Sequence, residues 1–143
     1  MTVTEFLKDH VPFLAGITDE QAADLARSAE QVVYKQGHTV IFRGVTVEGL
    51  HVVASGQVTV NAKIGREVQR VAELGPGDVF GEISIIEGSV AGATIKAAQD
   101  ETLIFVVPQE IFLKVMRADP PLQARVMEVI AERKKALAPP KKT

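Results

Sequence analysis

The sequence predicts a mainly β domain, a sandwich or barrel that carries helices at both ends. Between residues 32 and 107, short runs rich in β-branched residues alternate with glycine-containing turns, and no long helical segment interrupts them. Before and after this region, apolar residues recur at intervals of three and four, which is the spacing of a helix that buries one face. With 143 residues, of which 46% are apolar, the chain can form a single domain with a buried core.

The composition excludes several classes of function. The chain contains no cysteine, so disulfides, thiolate catalysis and iron–sulfur clusters are excluded, and its net charge of −2 does not favour a nucleic-acid surface. The first residues lack the charged and apolar regions of a signal peptide. The longest apolar run near the C-terminus, Leu103 to Val107, is too short to span a bilayer. We therefore expect a cytoplasmic protein without a membrane segment.

Histidine and acidic residues do not form a pattern typical of an enzyme. His10, His38 and His51 stand alone, without the His-x-His and following Glu that a metal-binding cupin needs. His51 lies between apolar residues of a predicted strand, so its side chain should face solvent or make a satisfied polar contact. Glu82 and Glu87 have no convergent His, Lys or nucleophile beside them. We predict no catalytic residue, no metal site and no cofactor.

Two short helices are predicted before residue 32. The first covers Glu5 to His10 and ends before Pro12, because a residue that precedes proline disfavours the α conformation. The connecting Phe13-Leu14 should plug the end of the domain. The second helix begins at Thr18, which has the capping-box spacing to Gln21. Its apolar face comprises Ala22, Leu25, Ala26 and Ala29.

Signals for β-strands follow in quick succession. We predict strands at residues 32–34, 39–42, 50–54, 57–64, 68–74, 92–98 and 102–107, with a short extended piece at 79–80. Turn signals separate the strands, among them Gly65-Arg66 and Ser55-Gly56. Because Ser55-Gly56 is a two-residue link between alternating runs, it predicts that the strands on either side form a hairpin.

Two helices are predicted after the last strand. Pro108 suits the first position of a helix whose apolar face contains Ile111, Phe112, Val115 and Met116. Asp119-Pro120-Pro121 ends this helix and starts the next. Residues recurring at threes and fours on the second helix are Leu122, Val126, Val129, Ile130, Arg133 and Leu137. The Pro- and Lys-rich residues 139–143 are predicted to be a frayed tail.

The stretch from residue 75 to 95 carries the pattern most typical of a binding site. Pro76-Gly77 favours a type II turn, and Gly81 leaves a bare backbone that another group can approach closely. Residues 82–86 suit one helical turn, which Gly88 ends. The free amides of that turn, together with those of the following strand, would suit an anion. An ordinary corner between two strands explains the same spacing.

Part of this stretch resembles the phosphate-binding cassette of the cyclic nucleotide-binding domain family. That cassette reads F-G-E-L-A, a short loop, then P-R-A-A-T-V, and Phe80-Gly81-Glu82 and Ala93-Thr94-Ile95 match it without a gap. The preceding Leu74-Gly75-Pro76-Gly77-Asp78 matches the family's L-x-x-G-D. The resemblance covers nearly the whole chain and implies an eight-stranded jelly roll (a double-stranded β-helix) with N-terminal helices and two C-terminal helices. We predict a single domain over residues 1–143, divided into N-terminal helices (1–31), jelly roll (32–107) and C-terminal helices (108–138).

The resemblance also implies a ligand and its contacts. The family's Glu accepts hydrogen bonds from a ribose 2′-hydroxyl, which makes Glu82 the candidate, while cassette amides and an Arg bind the cyclic phosphate. The implied ligand-binding residues are Gly81, Glu82, Ile83, Ser84, Ala91, Gly92, Ala93 and Thr94. Ala91 occupies the place of the Arg, Val90 that of the preceding Pro, and no Lys or Arg lies between Arg70 and Lys96. The expected ligand, a cyclic nucleotide or similar small anion, should therefore bind weakly.

Two functions stay open on these residues. The first is a non-catalytic regulatory module that senses cAMP, cGMP or a related ligand through the cassette, residues 80–95. The second is a degenerate jelly-roll scaffold that binds no nucleotide and acts by protein–protein interaction. From these 143 residues we expect no DNA-binding domain of the kind that the bacterial transcription factors with this sensor carry. The output would then pass to a partner protein, a second subunit or a further domain.

The last helix has two possible partners. In dimeric relatives this helix pairs with its copy, which implies a homodimer through residues 120–137. Packing of the same apolar stripe on the chain's own jelly roll is the alternative.

Overall fold

A computed structural model describes residues 1–137, in which eight strands and five α-helices follow the predicted order. The helices are α1 (Val3–Asp9), α2 (Asp19–Arg27), α3 (Glu82–Glu87), α4 (Gln109–Arg117) and α5 (Pro120–Leu137), with a 3-10 helix at Pro12–Leu14. The strands are β1 (Glu30–Tyr34), β2 (Thr39–Ile41), β3 (Gly49–Ser55), β4 (Val58–Ile64), β5 (Glu67–Leu74), β6 (Val79–Phe80), β7 (Ala93–Ala97) and β8 (Thr102–Pro108). The predicted tail, 139–143, lies outside the described residues.

The strands form two four-stranded antiparallel sheets. One sheet has the order β1-β8-β3-β6 and the other the order β2-β7-β4-β5, so sequential neighbours are repeatedly placed in different sheets. The register of the first sheet sets His51 opposite Phe80, and that of the second sets Val60 opposite Ile95. This arrangement confirms the predicted eight-stranded jelly roll with helices at both ends.

The predicted hairpin at Ser55-Gly56 is wrong. Strand β3, which ends at Ser55, pairs with β6 and β8, whereas β4 pairs with β5 and β7 in the other sheet. The turn is held by the loop before β8 instead, since the amide of Ala98 and the hydroxyl of Thr102 donate to the carbonyl of Gln57 at 2.8 and 3.4 Å. The chain therefore passes from one sheet to the other through this two-residue turn, because the strands that pair with β3 come from distant parts of the sequence. The two-residue hairpin lies at Gly65-Arg66, between β4 and β5.

The N-terminal helices begin where side-chain caps place them. The capping box is confirmed: the Thr18 hydroxyl accepts from the Gln21 amide at 3.0 Å, and the Gln21 side-chain oxygen accepts from the Thr18 amide at 2.8 Å. Helix α1 begins two residues earlier than predicted because Thr2 caps it through the amide of Glu5. Ala22 and Leu25 of α2 are fully buried, as are most atoms of the predicted plug at Phe13-Leu14.

Pro108 precedes the C-terminal helices rather than starting the first of them. It ends β8, and its ψ of 138° is extended, so α4 begins one residue later at Gln109. The apolar face of α4 buries Phe112, Val115 and Met116. Asp119 starts α5 by accepting a hydrogen bond from the amide of Leu122 at 3.1 Å.

Helix α5 lies on the chain's own core. Leu122, Val126 and Ile130 are 1%, 0% and 4% exposed, and Val129 is partly buried in the same cluster. Four members of the apolar stripe are therefore buried within one molecule, which agrees with packing on the chain's own core. A homodimer through residues 120–137 remains a prediction, but these four side chains give it no support.

The apolar interior has two clusters, and the cassette lies between them. One packs the helices against the outer face of the first sheet and includes Leu7, Phe112 and Val126. The other fills the space between the sheets and includes Phe80 and Ala91. None of the described helices is both long and apolar enough to cross a membrane.

Candidate functional site

The turn at Gly75–Asp78 anchors the segment that follows it. Gly77 has a φ of +91°, and the Asp78 amide donates to the Gly75 carbonyl at 3.0 Å, as the predicted type II turn requires. The amide of Gly77 and the carbonyl of Asp78 are both bonded to Val53 of β3, at 2.8 and 2.9 Å. The start of β6 is thereby fixed against the first sheet.

Gly81 is a position that only glycine fits without strain. Its φ is +89°, and a Cβ there would lie 3.0 Å from Cγ1 of Val47 and 3.2 Å from the carbonyl oxygen of Gly49. The predicted close approach of backbone at Gly81 is confirmed. Because Gly81 turns the chain sharply out of β6, the next residue, Glu82, points into the molecule and not along the sheet.

Helix α3 and its return loop form the rest of the cassette. Gly88 ends the helix in the left-handed conformation, at a φ of +65°, as the sequence predicts. The Ser84 hydroxyl donates to the carbonyl of Val90 at 3.2 Å, which ties the helix to the strand leading into β7. The two halves of the cassette therefore face each other across a gap.

That gap is a cavity of about 190 Å³. Most of its lining is apolar and comes from both sheets and the cassette. Its walls include Ile41, Val47, Val60, Val71, Leu74, Phe80 and Ile95, together with Gly81, Glu82, Ile83, Ser84, Ser89, Val90, Ala91, Gly92, Ala93 and, from α5, Arg133. Seven of the eight residues implied by the family resemblance line it, and Thr94 does not.

Thr94 and Ala91 use their polar groups within the protein. The Thr94 hydroxyl accepts from the amide of Arg43 at 3.1 Å, and its carbonyl accepts from the side chain of Asn61 at 3.4 Å. The amide of Ala91 donates to the carbonyl of Val45 at 2.8 Å. The N–H of Ala91 is therefore occupied within the protein, while its methyl group contributes to the cavity wall.

Glu82 is the most deeply buried charged residue of the site. The residue is 1% exposed, and its Oε1 accepts from Nη1 of Arg133 at 2.7 Å. Its Oε2 is shielded from solvent and has no hydrogen-bond partner among residues 1–137. A buried acceptor without a partner costs about 1–3 kcal/mol, so its persistence in a folded protein calls for an explanation. Hydrogen-bond donors of a ligand would supply the missing partner.

Arg133 belongs to the candidate site but was not predicted from the sequence. It lies 51 residues after Glu82 and reaches the cavity from α5, with its side chain 29% exposed. A signal was present: a charged residue continues the spacing of the apolar stripe on α5. A charge on the buried face of an amphipathic helix predicts a buried partner, which here is Glu82.

His51, on β3, contacts the first residue of the cassette, Phe80. Its Nδ1–H donates to the carbonyl of Gly49 at 2.9 Å, and its ring stacks on Phe80 with centroids 4.9 Å apart. The prediction of a satisfied polar contact is confirmed, while the solvent-facing alternative is wrong because neighbouring elements cover both faces of β3. Burial lowers the pKa of His51, and the bond to Gly49 only partly opposes that effect.

The fold and the cavity define a β jelly roll with a ligand-sized pocket at a glycine-bounded cassette. Residues 31–119 match the sequence pattern of the family described as "Cyclic nucleotide-binding domain". The chain belongs to this family. Over 124 residues it is 30% identical to the cyclic AMP receptor protein of Thermus thermophilus, a match that covers 85% of this chain and 56% of the relative.

Solved structures show the same fold. The catabolite activator protein of Thermus thermophilus superposes with a TM-score of 0.74 at 26% identity, over 87% of this chain and 58% of that one. A mutant regulatory subunit of a cAMP-independent protein kinase A from Trypanosoma brucei, bound to cAMP, superposes with a TM-score of 0.78 at 22% identity, over 92% and 46%. The chain thus spans about half the length of these relatives.

Proposed function

We propose that this chain is a non-catalytic regulatory module that binds cAMP, cGMP or a related ligand weakly through residues 80–95. The observation that carries the proposal is the buried carboxylate of Glu82. It lines a cavity formed by both halves of the cassette, and one of its oxygens lacks a hydrogen-bond partner among residues 1–137. A ribose hydroxyl is a donor of the kind this oxygen needs.

Weak binding follows from the missing cassette arginine. Ala91 is 6% exposed, lines the cavity and offers no charge to a cyclic phosphate. A hydrogen bond to a charged group contributes about 1.5–3 kcal/mol, which corresponds to about ten- to 150-fold in affinity. The rest of the cavity wall is mostly apolar and suits the nucleoside part of the ligand, and its two charged groups are the carboxylate of Glu82 and the guanidinium of Arg133.

Calorimetric titration with cAMP and cGMP tests the proposal directly. We expect weak, saturable binding by the parent chain and tighter binding of cAMP by Ala91→Arg, by about ten- to 150-fold, because the new guanidinium enters the cavity beside the phosphate position. Raising the salt concentration should reduce this gain. Val68→Arg is the matched control, since it adds the same charge at an exposed position on β5 that does not line the cavity.

A scaffold without a small ligand is the second candidate. The loss of the cassette arginine and the internal use of the Ala91 amide favour it. If Ala91→Arg folds normally and still binds neither nucleotide, the scaffold is the better description of this chain. In either case the output would be transmitted to an effector protein, and the C-terminal helices, which contact the cassette through Arg133, are the elements we propose to report occupancy.

A further inference from the structure

Helix α5 contributes the positive charge that the cassette lacks. Of the described residues that line the cavity, only Glu82 and Arg133 are charged. A phosphate that entered a cavity lined by Glu82 alone would meet a like charge in an apolar setting, where repulsion is poorly screened. With Arg133 in place, the two charges balance.

The guanidinium of Arg133 has donors to spare. It carries five N–H donors in a fixed fork, and the described contact with Glu82 Oε1, at 2.7 Å, is its only hydrogen bond within residues 1–137. The contact is one-pronged, because Glu82 Oε2 is left without a partner. Because Glu82 occupies only Nη1, the other N–H groups of the guanidinium can donate to an anion.

Arg133 borders the cavity on one side. Its side chain is 29% exposed and lines both the cavity and a second depression, whose wall includes Pro12, Phe13 and Arg125. The neighbouring Lys134, by contrast, pairs with Glu87 on the surface, where both side chains are open to solvent. Two ion pairs thus join α5 to α3, and only one of them borders the cavity.

We infer that Arg133 takes the role of phosphate-binding cation in this chain, delivered from α5 and not from the cassette. The inference rests on the proposed function and extends it, since it names the residue that makes the pocket accept an anionic rather than a neutral nucleoside. It also has a consequence for regulation. Because the cation belongs to α5, the affinity for an anionic ligand and the position of α5 are thermodynamically linked.

The test compares cAMP with uncharged adenosine. In Arg133→Gln, we expect cAMP affinity to fall about ten- to 150-fold and adenosine affinity to stay within about twofold, because of the two ligands only cAMP has a phosphate that can lose its partner. Lys134→Gln is the matched control: it removes the neighbouring charge and the other α5–α3 ion pair, and it should change neither affinity.

A second pair of variants keeps the test valid if Arg133→Gln does not fold. Arg133→Gln strands the buried charge of Glu82, which costs stability. The double variant Glu82→Gln/Arg133→Gln removes both charges, and its ratio of cAMP to adenosine affinity is compared with that of Glu82→Gln alone. The inference requires a fall of about tenfold or more in that ratio.

Two results overturn the inference, and they are distinguishable. If the parent binds cAMP and the ratio of affinities is unchanged in both comparisons, Arg133 is a structural partner of Glu82 and the proposed function stands. If the parent binds neither cyclic nucleotide, the proposed function and the inference fail together.

Discussion

Two glycine-rich corners, the turn at Gly75–Asp78 and the start of the cassette at Gly81, follow each other in this chain and differ in how their polar groups are hydrogen-bonded. In the turn at Gly75–Asp78, the Gly75 amide donates to Asp78 Oδ2 at 2.9 Å and the Asp78 amide donates to the Gly75 carbonyl at 3.0 Å, while the amide of Gly77 and the carbonyl of Asp78 bond to β3. In the cassette, Gly81 makes an equally sharp turn, but the buried carboxylate that follows keeps one oxygen without a partner among residues 1–137. We call the first the closed corner, because these polar groups bond within the protein. We call the second the open corner, because Glu82 Oε2 makes no such bond among the described residues. An unmet buried acceptor, and not the turn geometry, therefore distinguishes the two corners.

The largest effect is expected at the closed corner. In Gly77→Ala the new Cβ would collide with the carbonyl oxygen of His10 at a φ of +91°, so we expect a loss of roughly 2–6 kcal/mol in the free energy of unfolding. Gly37→Ala is the matched control, because Gly37 has a φ of +86° and open space around its Cα. It should cost about 1–2 kcal/mol, the backbone term alone. Urea denaturation of both variants measures the difference, and equal losses would show that the contact with His10 is unimportant.

The open corner should respond in the opposite way. Glu82→Ala should weaken cAMP binding by about tenfold or more, since a charged acceptor is lost, and should change the stability of the free protein by less than about 1 kcal/mol. The free protein loses little because the carboxylate is only half satisfied and Arg133, 29% exposed, can turn to water.

Glu87→Ala is the control for that variant. It removes an acidic residue of the same helix whose partner, Lys134, lies outside the cavity, and we expect no change in affinity. Calorimetry and thermal denaturation are measured on both variants. A large loss of stability in Glu82→Ala, with unaltered affinity, would make Glu82 a structural residue and the cassette a second closed corner.

A smaller effect is expected from His51, which lies on β3 beneath both corners. Its pKa is lowered by burial, so between the folded value and the ordinary value of 6.5 the unfolded chain binds more protons than the folded one. The stabilising contribution is complete above pH 6.5 and is lost as the pH falls through the folded pKa, with a slope of at most about 1.4 kcal/mol per pH unit. Urea denaturation between pH 5 and 8 should show this slope in the parent.

Replacing His51 sharpens the assignment. His51→Gln should flatten the stability profile below pH 6.5, whereas His38→Gln, at an exposed position, should leave it unchanged. An unaltered profile in His51→Gln would mean that another group causes the acid sensitivity.

The parts of the fold that sequence predicts best are those decided by near neighbours. The capping box of Thr18 and Gln21, the type II turn at Pro76-Gly77 and the left-handed Gly88 all depend on residues within one turn of the chain. The family motif adds the jelly roll, because F-G-E and A-T-V are spaced by the same cassette. Local signals fail where the partner is distant: the turn at Ser55-Gly56 reads as a hairpin, yet its strands belong to different sheets.

The candidate site shows the same limit. Seven of the eight predicted residues line the cavity because they lie in one continuous segment. Thr94 is outside it because its hydroxyl bonds to the amide of Arg43, a residue brought close only by the pairing of β2 with β7. The apolar stripe of α5 is compatible with either a second copy or the chain's own core, and only folding decides for the core.

The sequence by itself determined that this protein is a jelly roll whose cassette has Ala91 where the family motif has an arginine, because turn glycines, caps and the cassette motif act over short distances. Only the tertiary structure decided the electrostatics of the cavity. It brings Arg133 to Glu82 across 51 residues, occupies the amide of Ala91 and leaves Glu82 Oε2 unpaired. The physical reason is that a charge in an apolar pocket depends on which groups share its desolvated space, and that neighbourhood is assembled from strands and helices that are far apart in the chain.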